Sequence, residues 1–122
     1  MLVVAVLKIK MPDARMPTDI WIQAHVARLS SKGVPVVVLK RGDKNSGIII
    51  VKINRIETGV DIFMQERDLS GNFIWQPALD GRRVEEPEAA SFIERQAKYD
   101  PDIWIVEIED REDHSLLEIL EM

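Results

Sequence analysis

The chain contains no cysteine among its 122 residues. Disulfide bonds, cysteine nucleophiles, thiolate zinc sites and iron–sulfur clusters are therefore excluded. No apolar run approaches the roughly 20 residues that a membrane-spanning helix needs. The sequence also lacks a phosphate-binding loop, a nucleophile–base pair and a metal motif. We therefore expect a cytoplasmic protein with no cofactor and no contact with a membrane.

The apolar run at residues 2–7 does not have the features of a secretion signal. No basic residue precedes it, and Lys8 ends it. A signal peptide has a basic start and an apolar stretch of roughly 7–15 residues. We interpret residues 1–17 as an N-terminal arm or an extra strand of a single domain that spans residues 1–122.

The charge is unevenly distributed along the chain. Residues 40–55, here called the basic segment, carry five basic residues and one acidic residue, whereas residues 100–122, the acidic segment, carry nine acidic residues and one basic residue. Opposite charges at this density can attract each other within one molecule. The net charge of −5 argues against a general nucleic-acid-binding protein, which usually presents a basic surface.

Cap, turn and β-branched patterns predict an α+β fold. We expect an antiparallel or mixed sheet of about five strands, made of a four-strand meander and one strand after the second helix. Two main helices cover one face, the first packing through Ile20, Ala24 and Ala27, and a short C-terminal helix follows. The predicted strands are 34–39, 48–56, 60–65, 73–75 and 103–109, and the predicted helices begin at Thr18, Pro87 and Ser115.

Several segments in a fixed order resemble domain-of-unknown-function family 1491, a family of small bacterial proteins. They are Thr18-Asp19-Ile20-Trp21, Arg41-Gly42-Asp43, Lys52-Ile53-Asn54-Arg55, the residues around Trp75, Glu94-Arg95-Gln96, and the run from Tyr99 to Arg111. The resemblance covers residues 18–116 and implies a stand-alone cytoplasmic protein without an assigned activity. The tail at 112–122 departs from the Gly-Arg-His-Phe-like run that family members tend to have.

The basic segment is one candidate binding site. Its pattern predicts a hairpin whose turn contains Arg41 and Asp43, and Gly42 between them would supply a positive φ. Turn N–H groups and flanking cations can hold phosphate. Alternation along the following strand places Lys52 and Asn54 on one face, and Arg55 would extend the polar surface. Binding of nucleic acid or a phosphate ligand is therefore an alternative function.

The strand that begins the acidic segment suggests a second alternative, a metal-dependent phosphoester hydrolase. Glu107 and Glu109 share one face of this strand, and hard cations such as Mg²⁺ prefer carboxylate oxygens. The competing interpretation is a solvated strand end that pairs with the basic segment.

The favoured function is a non-enzymatic binding or protein-interaction module. Trp21, Trp75 and the apolar tail at residues 116–120 are the expected contacts, because large aromatic and apolar side chains dominate protein interfaces. The partner would be an unknown protein or a second copy of the chain.

Overall fold

The computed structural model describes residues 7–8, 16–67, 69–70 and 72–122 of the chain. In this part the fold is α+β with a mixed sheet, as expected, and no helix is long and apolar enough to cross a membrane. The strands are β1 (Leu7–Lys8), β2 (Val36–Lys40), β3 (Ile49–Asn54), β4 (Val60–Arg67), β5 (Phe73–Pro77) and β6 (Trp104–Glu109), and the α-helices are α1 (Thr18–Ser31), α2 (Glu86–Tyr99) and α3 (Leu116–Leu120). Apart from residues 7–8 and 16–17, the proposed N-terminal arm lies outside the described residues.

The strand order in the sheet is β1-β5-β4-β3-β6-β2. β3, β4 and β5 form an antiparallel meander, but the expected hairpin between β2 and β3 is wrong. β6 lies between these two strands, parallel to β3 and antiparallel to β2. Because β6 is apolar on both faces along most of its length, it is most stable as a central strand with a neighbour on each side.

The two main helices cover opposite faces of the sheet, so the expectation that they share one face is wrong. α1 and α3 pack on the face that presents Val51 and Val106, whereas α2 packs on the face that presents Ile50 and Ile105. Adjacent residues of a strand point to opposite faces, so β3 and β6 present apolar side chains on both. One layer of helices would therefore leave half of this apolar surface in water.

α1 packs through a different face from the one expected. It buries Trp21, Ile22 and Leu29, while Ile20 is 52% exposed and Ala24 and Ala27 are exposed. The helix is apolar over most of its circumference, so spacing alone does not select a face. The observed orientation buries the larger side chains, and burial is favourable in proportion to the apolar area removed from water.

The C-terminal tail docks on the core of its own chain. Leu116 and Ile119 of α3 are buried in the cluster that contains α1. A capping box begins the helix, in which Ser115 Oγ accepts a hydrogen bond from Glu118 N at 3.1 Å and Glu118 Oε1 accepts one from Ser115 N at 2.9 Å. The guanidinium of Arg28 donates to the Leu120 carbonyl oxygen at 2.7 Å, at the other end of the helix. The tail is therefore part of the fold.

Replacing Leu116 by alanine should lower the free energy of unfolding by about 2–5 kcal/mol, since the change leaves a cavity between α3 and the sheet. Leu117→Ala is the matched control, because Leu117 lies next to it in α3 and is only half-buried. Urea unfolding of both variants measures the difference. Equal losses for the two variants would show that α3 does not dock through Leu116.

Candidate functional site

Lys52 and Asn54 of β3 lie beside Glu107 of β6, because the parallel register places Lys52 opposite Glu107. The buried Lys52 ammonium forms an ion pair with Glu86, at the beginning of α2, and lies 3.4 Å from Glu107 Oε2. The side-chain amide of Asn54 donates to Glu107 Oε1 at 3.2 Å. The predicted attraction between the basic and acidic segments is thus confirmed here.

Arg55 connects the ends of three strands. Its guanidinium is buried, forms an ion pair with Asp110 after β6, and donates through Nε to Asp61 Oδ2 of β4 at 3.0 Å. Arg83 donates to the same Asp61 oxygen at 2.8 Å and to Asp113 Oδ1 at 2.6 Å. These contacts raise the pKa of Arg83 and lower that of Asp113. This network, which we call the Arg55 cluster, fastens the acidic segment to the sheet.

Asp110 accepts hydrogen bonds from both Arg55 and His114. Its Oδ2 accepts from the His114 backbone N–H at 2.8 Å, and its Oδ1 lies 2.8 Å from His114 Nδ1. Burial acts to raise the pKa of Asp110, but the hydrogen bonds from His114 and Glu112 and the charge of Arg55 together lower it. The hydrogen bond to Asp110 raises the pKa of His114 above 6.5.

The loop that contains Arg41 and Asp43 crosses the beginning of β6 instead of turning a hairpin. The Asp43 carboxylate accepts hydrogen bonds from the Ser46 and Asn45 backbone N–H groups at 2.9 and 3.1 Å, and these bonds, with one from the Ser46 hydroxyl, lower its pKa. Trp104 Nε1 donates to the Asp43 carbonyl oxygen at 2.7 Å, and the Arg41 guanidinium lies 5.6 Å from the centroid of the Trp104 ring. The loop is therefore fixed by its own contacts.

Gly42 does not have the positive φ that the sequence suggested. Instead, a Cβ atom at this position would collide with the Asp102 carbonyl oxygen and would lie 2.7 Å from the Trp104 ring. The glycine is thus required because the loop passes close to the backbone before β6.

Trp75 is 1% exposed and lies on β5, against the Trp21 ring at a centroid distance of 6.0 Å. Four strand spacings of about 4.8 Å separate β5 from β2, so roughly 19 Å of sheet lies between Trp75 and the strand that leads to Arg41. The six predicted binding residues therefore do not form one surface. They divide into the loop with Arg41 and Asp43, the β3 residues Lys52 and Asn54 beside Glu107, the residue Arg55 after the end of β3, and a tryptophan in the core.

Glu107 and Glu109 share the face covered by α2, as alternation along the strand predicted. Glu107 is engaged by Lys52 and Asn54, and Arg111 Nε lies 3.3 Å from Glu109 Oε1. In the described ranges, no group of three or more His, Asp or Glu side chains is placed to hold a metal ion.

The outer edge of β2 is a surface that the sequence analysis missed. The Glu109 N–H donates to the Pro35 carbonyl oxygen at 3.0 Å. Since successive residues of a strand direct their N–H and C=O groups to opposite sides, those of Val36 and Val38 point away from β6. No described strand pairs with that side of β2, which we call the open edge. Val37, which lies opposite Glu107, is 55% exposed on the face of the sheet that α2 covers elsewhere, and Leu39, in the bulge after Val38, is 49% exposed.

A groove runs along the other face of the same edge, between α1 and β2. Its volume is about 210 Å³, and it is lined by Ile22, Gln23, Val26, Ala27, Val38, Arg41 and Trp104. The β-branched run of β2 predicted a strand, but no pattern in it distinguishes an edge strand from an inner strand of the sheet. We call the groove and the β2 edge together the edge surface.

Comparison with known proteins assigns the chain to a family. Residues 16–118 match the model described as protein of unknown function DUF1491. The chain belongs to the DUF1491 family. A crystal structure of a DUF1491 protein from Caulobacter crescentus CB15 is 38% identical, with a TM-score of 0.67, and the alignment covers 78% of this chain and 88% of that one.

Two solution structures are also similar. A DUF1491 protein from Caulobacter crescentus CB15 is 37% identical over 81% of this chain and 89% of that one, with a TM-score of 0.69. Protein Atu0922 from A. tumefaciens, 24% identical over 80% of this chain and 88% of that one, has a TM-score of 0.67 and shares the fold. No curated protein matches the chain. Membership of the family therefore identifies the chain without assigning an activity.

Substituting methionine for Arg55 should lower the free energy of unfolding by about 3–5 kcal/mol, since Asp110 would be left as a buried carboxylate without its partner. The control is Arg82→Met, which breaks the exposed pair between Arg82 and Glu88 and should cost about 1 kcal/mol or less. Chemical denaturation compares the two. A loss for Arg55→Met as small as for the control would mean that the Arg55 cluster contributes no net stability.

The titration of His114 should be visible in the pH dependence of the protein's stability. The folded-state pKa of His114 is raised, so protonated His114 stabilises the folded state. This contribution to the free energy of unfolding is complete below the unfolded-state pKa of about 6.5 and is lost as the pH rises through the folded-state pKa. His114→Gln should remove that loss from urea midpoints measured between about pH 6 and 8.

His25 is a control with a pH dependence of the opposite sign, since burial lowers its pKa to about 4. The unfolded chain then binds more protons, so stability rises with pH between about 4 and 6.5, and His25→Gln should remove that rise. An unchanged profile in the His114→Gln variant would contradict the assignment of His114 to the Asp110 hydrogen bond.

Proposed function

We propose that this protein is a non-enzymatic protein-interaction module and that its contact region is the edge surface. The observation that carries the proposal is the open edge of β2, where backbone N–H and C=O groups lie between exposed apolar side chains on one face and a groove on the other. An added strand satisfies such backbone groups, and pockets beside the edge accept its alternate side chains.

In the part of the chain that the structure describes, the segment of β2 before its bulge lacks protective features, which supports this function. Proteins usually protect edge strands with charged side chains, prolines, bulges or covering elements. The first four residues of β2 are uncharged, and its one lysine, Lys40, directs its ammonium to the Pro101 and Ile103 carbonyl oxygens at 2.6 and 3.1 Å. The bulge comes only after Val38. Residues 36–38 therefore form an uncharged segment that is available for pairing.

The charged residues give less support to the two alternative functions. Lys52 and Arg55, which would hold a phosphate group, are buried and neutralised by carboxylates of the same chain. Glu107, which would hold a metal ion, is engaged by Lys52 and Asn54. A ligand at either place would have to displace these ion pairs.

A photo-crosslinking amino acid at Leu39 tests the contact region directly in living cells. We expect a covalent adduct with a protein, whereas the same group at Ser91, an exposed position of α2, should give none. Val38→Pro, introduced into the chain that carries the crosslinker at position 39, removes one N–H at the open edge. It should reduce the amount of adduct about fivefold, which corresponds to the loss of one hydrogen bond of about 1 kcal/mol.

Thermal unfolding would verify that the Val38→Pro chain is folded. An adduct at Leu39 that is no stronger than at Ser91, or that is unaffected by Val38→Pro in a folded chain, would refute the proposal.

A further inference from the structure

We infer that the occupant of the β2 edge is the β2 strand of a second copy of the chain, joined antiparallel about a two-fold axis at Val37. This inference rests on the proposed function and names its partner. It requires a strand whose hydrogen-bonding groups, side chains and charges are complementary to those of its own copy.

The hydrogen-bonding pattern of the open edge restricts the register. Val36 and Val38 direct their N–H and C=O groups outward, so they must lie in hydrogen-bonded pairs. The register that uses these two residues alone pairs Val36 of one copy with Val38 of the other. The axis then passes through a non-hydrogen-bonded pair of Val37 side chains. A register centred on Val38 would pair Val36 with Lys40, which lies beyond the bulge that interrupts the strand after Val38.

The side chains match this register on both faces. On the face that α2 covers elsewhere, the exposed Val37 meets its copy, and the exposed Leu39 follows two residues farther along the strand. On the other face, Val36 of the second copy would lie next to Val38, at the groove formed with Val26 and Ala27. The pairing therefore buries β-branched side chains against one another without an unpaired polar side chain.

The charges favour the antiparallel arrangement of two identical strands. The paired residues 36–38 are uncharged, so the strand meets its copy without repulsion. The two Lys40 residues lie at opposite ends of the interface, six residues or about 20 Å apart, which exceeds the Debye length of about 8 Å. The outer face of α1 near the groove, with Gln23 and Ala27 exposed, is also uncharged and can extend the contact.

The absence of cysteine makes a crosslinking experiment specific to the register. Two Cα atoms of a non-hydrogen-bonded pair lie about 4.5 Å apart, within the range of a disulfide. The full chain with Val37→Cys should form a covalent dimer under mild oxidation. Leu39→Cys is the matched control, since its two copies would be about 14 Å apart along the strands and should oxidise at least about tenfold more slowly.

Sedimentation provides an independent measurement at micromolar concentration. The unmodified chain and the control Ser91→Lys should be dimers, whereas Val37→Lys and Val37→Glu should each be monomers because like charges would meet at the axis. A mixture of these two variants should recover the dimer, which a misfolded chain could not do.

An unmodified chain that sediments as a monomer, together with equal oxidation rates for Val37→Cys and Leu39→Cys, would overturn the dimer. The proposed function would survive that result if the crosslinker at Leu39 captured a different protein in a manner sensitive to Val38→Pro. It would fail with the dimer if no such adduct formed.

Discussion

The pairing of β6 with β3 on one side and β2 on the other is the constraint on which the rest of the structure depends. It makes a strand from the end of the chain the neighbour of strands from its first half. The parallel register then brings Glu107 beside Lys52, and the residue after the strand, Asp110, next to Arg55. By occupying the place beside β3, β6 also leaves β2 at the edge of the described sheet, where no described strand pairs with its outward backbone groups.

The electrostatics of the molecule follow from that pairing. β3 and β6 carry the polar side chains Lys52 and Glu107 next to the beginning of α2. The ion pairs of Lys52 neutralise charges that would be costly to bury without a partner. Farther along, the Arg55 cluster holds the segment after β6, so that α3 begins where it can pack on the α1 face. Charges that suggested a binding surface in the sequence thus connect distant parts of the chain.

Local patterns predicted the elements well, because caps, turns and periodicity involve neighbours in sequence. Gly33 follows α1 with a positive φ, Pro87 lies in the first turn of α2, and apolar side chains of α2, among them Ala89 and Phe92, pack on the sheet. The face of α1 was not predictable, since an apolar helix offers more than one face. Nor was the burial of Trp75, because its neighbours on the sheet come from distant parts of the chain.

The sequence by itself determined the α+β class, the positions of the elements, the family and the mutual attraction of the basic and acidic segments. Only the tertiary structure decided the strand order, the two helical layers, the internal use of Lys52 and Arg55, and the exposure of the β2 edge. The reason is physical: hydrogen-bonding groups are the same on every strand, so which strands pair depends on burying all the apolar faces together. A β-branched run such as Val36–Lys40 is compatible with a central or an edge position.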